Sequence, residues 1–75
     1  MTFAPGDYVK FEMKDDDSGE AEWMWLRIEH CDEARKVAFG WLDTEPVVFN
    51  SRLRIGQHIA VSYDNIREHK KAQEF

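Results

Sequence analysis

Hydrophobic residues recur at every second position in four stretches of this chain, the period of a strand with one face inward and one outward. In the first, Val9, Phe11 and Met13 alternate with Tyr8, Lys10 and Glu12, after the turn-forming Pro5-Gly6-Asp7. In the second, from about Ala21 to His30, Met24, Leu26 and Ile28 share one face and Trp23, Trp25 and Arg27 the other. Between these two lies Lys14 to Ala21, where Asp15-Asp16-Asp17-Ser18-Gly19 predicts a solvated hairpin loop. Cys31-Asp32-Glu33-Ala34-Arg35 then breaks the alternation, and a third strand resumes at Lys36. There Val37, Phe39 and Trp41 face one way and Ala38, Gly40 and Leu42 the other. Gly40 marks a bend or the close approach of another backbone.

Asp43-Thr44-Glu45-Pro46 reads as a turn, because the residue before proline is pushed out of the helical region. Val47-Val48-Phe49 predicts a short edge strand, and Ile59, Val61 and Tyr63 alternate with His58, Ala60 and Ser62 in the last long one. Beyond it, Asn65 with Glu68 three residues on forms a capping-box pattern, predicting a turn or two of helix and a frayed tail from about residue 70. Four or five short strands separated by turns predict a mainly β fold. We expect a small antiparallel sheet, curled or closed into a partly open barrel, since closure reduces exposed edges. Residues 1–75 are read as one domain, with no repeat or linker dividing them.

The order Glu22-x-Met24-Trp25-Leu26-x-Ile28, Gly40-x-Leu42-x-x-Glu45-Pro46 and Leu53-x-x-Gly56-x-x-Ile59-x-Val61, with Ile66 beyond, resembles the bacterial YegJ-like family of small domains of unknown function. The likeness covers roughly residues 8 to 69. It departs at Gln57, where an aspartate is common after the glycine, and at Arg67-Glu68-His69, where an Asp-Trp ending is usual. The resemblance implies a compact, mainly β domain. It implies no activity, so no catalytic residue is carried over.

Charge narrows the classes of partner. With 15 acidic and 10 basic side chains, the net charge of −5 repels a phosphate backbone unless the bases gather on one face. Nucleic acid is therefore disfavoured. The longest apolar runs, such as Pro46 to Phe49, fall far short of the ~20 residues that span a bilayer, so no membrane association is expected. A chain this short buries only about 60% of its unfolded surface, yet 43% hydrophobic residues supply one core. The N-terminal residues show no basic and apolar leader pattern, and a lone Cys31 forms no internal disulfide. Both point to the cytoplasm.

Several residue types invite chemistry and fall short of it. Asp15-Asp16-Asp17 could hold a calcium ion, but Gly19 and Leu26 stand where a loop of that kind needs an Asp or Asn and a bidentate glutamate. His30 and Cys31 are zinc-ligand types that point to opposite faces of a strand, and His58 and His69 stand at no telling spacing. As a nucleophile, Cys31 lacks a base and an oxyanion donor in its neighbourhood of sequence. Glu20 and Glu22 share a face at a loop edge, where water screens them. No enzyme, metal or cofactor is expected.

The face of the tryptophan strand that carries Trp23, Trp25 and Arg27 is either a second core layer, with one of the two rings covered by the curled sheet or the C-terminal segment, or a contact surface, because indole rings bury large area at low entropic cost and arginine stacks on them. Trp23, Trp25 and Arg27 are therefore the candidate partner-binding residues, with a protein partner or homodimerisation as the expected use; a strand edge is the other route to a partner. The alternative is a nucleic-acid-binding small barrel with Arg52 and Arg54 added to Trp25 and Arg27. Arg67, Lys70 and Lys71 extend that basic set.

Overall fold

The computed structural model describes residues 3–72. Five strands, β1 (Tyr8–Lys14), β2 (Ala21–Asp32), β3 (Val37–Leu42), β4 (His58–Ser62) and β5 (Ile66–Lys70), form one antiparallel sheet in the order β4-β3-β2-β1-β5. Among the described residues, no helix is long and apolar enough to cross a membrane.

β2 is the spine. Its first half pairs with β1, from Tyr8 opposite Arg27 to Lys14 opposite Ala21, and its second half with β3, from Leu26 opposite Leu42 to Asp32 opposite Val37. The register slips at Glu29, between Ile28 and His30, and a second irregularity interrupts the β1–β5 ladder between Lys10 and Phe11. Such irregularities bend strands and increase their twist. Gly40 faces Ile28 beside the first, and a Cβ there would lie 2.0 Å from the carbonyl oxygen of Arg27. Only glycine lets the two backbones meet so closely.

The bends curl the sheet without closing it into a barrel. A flat sheet of five strands would hold its edges about 19 Å apart at ~4.8 Å per strand. Yet the chain passes from edge strand β4 to edge strand β5 through a single 3₁₀ turn, Tyr63–Asn65. Four residue steps reach at most about 14 Å. The two edges must therefore approach each other at that end.

The concave face holds the core. Val9, Phe11, Met24, Leu26, Ile28, Ala38, Leu42 and Val61 are buried there, and Phe3 and Phe49 cap it from outside the sheet. On β3 it is the small-residue face, Ala38, Gly40 and Leu42, that turns inward, leaving Val37 and Phe39 half-buried and Trp41 exposed. The inward choice follows from the curl, which crowds the concave side.

Three expectations are corrected. Val47-Val48-Phe49 is not an edge strand: it runs in turns, and its three amide N–H groups donate to the Glu22 carboxylate at 2.8, 3.0 and 3.1 Å. Among the described residues, no α-helix follows Asn65. The cap is Ser62, whose Oγ accepts the Asp64 N–H, and the residues after Asn65 extend as β5 because β1 offers them an unpaired edge. Consequently Tyr63 belongs to the turn rather than to the preceding strand, and β5 ends at Lys70, where the expected tail begins. Residues 73–75 of that expected tail lie outside the described residues.

Candidate functional site

Antiparallel register decides which side chains share the convex face. Lys10 lies opposite Trp25, Glu12 opposite Trp23 and Tyr8 opposite Arg27. Arg27 lies opposite Trp41, and Trp41 opposite His58. Directly opposed residues stand ~5 Å apart at Cβ, so this side of the sheet forms one continuous surface.

All three tryptophans of the chain are on it, each beside a cation. The Lys10 ammonium sits 5.2 Å from the Trp23 ring centroid, that of Lys70 5.4 Å from Trp25, and the Arg27 guanidinium 5.8 Å from Trp41. Each contact contributes ~0.5–1 kcal/mol at an exposed site. Trp23 is 51% exposed and Trp41 37%, while Trp25 is half-buried in a shallow depression with Tyr8, Asp43 and Lys70. The core needs none of these rings.

Three acids of the face, Glu12, Glu29 and Glu68, are engaged within the protein. Glu68 pairs with Lys10 at 3.3 Å and Glu12 with Arg67 at 3.1 Å. Glu29 Oε1 meets His58 Nε2 at 2.8 Å and His30 Nδ1 at 3.2 Å. The bond from His58 does most to hold the Glu29 carboxyl below its usual range, against burial, and His30 adds to it. His58 in turn meets the Trp41 ring edge-on at 5.8 Å, and His30 stacks on Phe39 at 4.7 Å.

The three residues singled out from the alternation, Trp23, Trp25 and Arg27, thus stand together on the convex side. Trp41, Lys10 and Lys70 join them. The alternation of β3 already separated Trp41 from Ala38, Gly40 and Leu42, but only register shows that this is the face of Trp25. Arg52 and Arg54 sit in the loop 43–57, whose Phe49 plugs the concave side. Arg52 bonds Asp15 at 2.7 Å and lies over the Phe49 ring at 5.7 Å. That bond, followed by the N–H of Asp17, lowers the Asp15 carboxyl below its usual range.

Two further carboxylates act as struts. Burial works against the ionised form of Glu22, but the three N–H donors of residues 47–49 outweigh it and hold its carboxyl below the usual range. That bond set seats Phe49 in the core from 27 residues away. Asp7, 5% exposed, is likewise opposed by burial and lowered by His69 and the N–H groups of Ala4 and Ala72. Its 2.8 Å bond to His69 Nε2 joins the start of β1 to β5.

Cys31 is half-buried beside Tyr63. The Tyr63 hydroxyl donates to Glu33 at 2.9 Å, and burial, then Cys31 and Glu33, push its ionisation up. Among the described residues, no three His, Cys, Asp or Glu side chains converge as a metal site. Compared with protein-family models, curated proteins and solved structures, the chain matches none.

Proposed function

We propose that the protein is a cytoplasmic, non-enzymatic interaction module whose convex face receives an extended, acidic segment of a partner protein. One observation carries the reading: three tryptophans that the core does not use stand on one face, each beside a cation. Large aromatic rings and arginine are the side chains that dominate protein interfaces, and they are costly to leave in water. Lys10, Arg27 and Lys70 stand over those rings, and Glu12, Glu29 and Glu68 are engaged within the protein, Glu68 by Lys10 itself. An acidic partner complements that arrangement. The likeness to YegJ-like domains is compatible with this reading and adds no residue to it.

The test is a titration with an octapeptide alternating glutamate and valine, read by backbone and indole N–H resonances. The expected result is shifts at the Trp23, Trp25 and Trp41 indoles, weakening as salt rises, and their loss in Arg27→Glu. The same peptide built with lysine should not bind. Equal response to both peptides overturns the reading. So do concentration-dependent shifts on this face without peptide, which assign it to a second copy of the chain. Nucleic acid is the second reading, supported by the stacking area of the rings and opposed by the net charge of −5. Shifts on oligothymidylate that fall steeply with salt would put it first.

A further inference from the structure

A second feature lies away from the tryptophans, at the seam where the two sheet edges approach. A groove of about 390 Å³ opens there, within the size range of small-ligand pockets. It is lined by Phe3, Tyr63, Ile66 and His69 together with the charged Lys36, Arg67 and Glu68. Phe3 meets Tyr63 edge-on at 5.0 Å and His69 edge-on at 4.8 Å, so the aromatic walls hold one another in place. Asp7 fixes the His69 ring from behind at 2.8 Å. The packed rings give the groove an apolar wall beside its charged and polar residues.

The rim is positive. Arg67 is bonded to Glu12 and to the Asp64 carbonyl, contributing its charge while its fork is occupied. Glu68, also at the groove, turns to Lys10. Among the described residues, the Lys36 ammonium has no hydrogen-bond or ion-pair partner.

Lys36 is also the only non-glycine among the described residues with a positive φ, 58°. A glycine or asparagine closes such a turn more easily, because the Cβ of other residues crowds the backbone there. Its carbonyl accepts the Tyr63 N–H at 2.9 Å, a bond any residue could make. Strained backbone persists where a side chain is needed for something else. Here the left-handed residue brings a cation, unpaired among the described residues, to a groove with an aromatic wall.

We propose that this groove binds a small amphipathic organic anion, with an aromatic or branched body against Phe3, Tyr63 and Ile66 and a carboxylate at Lys36. The proposal does not rest on the convex-face reading: Lys36, Tyr63 and Phe3 take no part in that face, so either assignment can fail alone.

Benzoate is the probe, titrated into the intact chain and followed by backbone amide resonances, with benzyl alcohol as its neutral counterpart. Saturable shifts are expected at Lys36, Tyr63, Ile66 and His69, with a dissociation constant of about millimolar for so few atoms. Benzyl alcohol should bind about tenfold more weakly. Lys36→Met should weaken benzoate about tenfold and Lys36→Arg should restore it. Lys36→Gly, which relieves the backbone and removes the ammonium, should fold at least as well as the parent while binding as poorly as Lys36→Met. Equal affinity for benzoate and benzyl alcohol overturns the proposal, as does undiminished binding by Lys36→Met and Lys36→Gly, or absence of saturable shifts at these residues.

Discussion

Replacing Gly40 with alanine is expected to destabilise the protein far more than one methyl group ordinarily does. The residue is extended, so its φ is not at issue. The added Cβ would lie 2.0 Å from the Arg27 carbonyl oxygen, 2.9 Å from its carbon and 3.0 Å from the Ile28 Cα. All three are backbone atoms, and no rotamer change relieves them. Carbon and oxygen approach to about 3.3 Å at closest, so β2 and β3 must part by about 1.3 Å. A ladder bond of ~2.9 Å is then stretched beyond hydrogen-bonding range. Losing about two such bonds at ~1 kcal/mol each, with ~1–3 kcal/mol for overpacking, gives about 3–5 kcal/mol. A chain of 75 residues has about 4–11 kcal/mol in total. Thermal unfolding followed by tryptophan fluorescence should show a fall in Tm of at least about 12 °C, at ~4–8 °C per kcal/mol. Gly19→Ala is the control. Gly19 has φ of 75° and open space around its Cβ, so only local strain of ~1 kcal/mol applies. If Gly40→Ala cost no more than Gly19→Ala, the close approach of β2 and β3 would be refuted.

Lys36→Gly should raise Tm by a few degrees, since relief of ~1–2 kcal/mol at the left-handed residue is partly offset by the entropy of a more flexible unfolded chain; a lower Tm counts against the strain. The folded Glu22 carboxyl lies below the ordinary value of 4.5, so its contribution is fully present above pH 4.5 and is lost as pH falls through the folded value. Glu22→Gln should therefore flatten the loss of stability in acid and lower stability at pH 7 by about 1–2 kcal/mol, measured by urea unfolding across pH; an unchanged slope below pH 4.5 sinks the strut. Asp7→Ala leaves His69 and two N–H donors without their buried acceptor and should cost ~2–3 kcal/mol in the same assay. Trp41→Ala should lose peptide shifts on the convex face with a fall in Tm under about 8 °C, because its ring is not part of the core.

Local pattern determined much of this protein. The alternation of Val9 and Phe11, and of Met24, Leu26 and Ile28, marks β1 and β2 and their buried sides, because a strand's period of two is written in consecutive residues. Gly40 signalled a bend or a close approach for the same local reason: it has no Cβ. Trp23, Trp25 and Arg27 were legible as one group sharing a face, but whether that face is covered was not. Pairing was not, since register joins residues far apart in the chain and leaves no periodic trace. Only the fold brings Trp41 and Lys70 to that group, sends the Glu22 carboxylate to the amides of residues 47–49, and sets Lys36 beside Tyr63. Ile66–Lys70 shows the limit most clearly. Its local signals favour a capped turn of helix, but the open edge of β1 offers every backbone group a partner, and a helix that short cannot compete. What consecutive residues share is a face and a period; what covers that face, and which edge is left open, is decided by non-local pairing once the sheet curls.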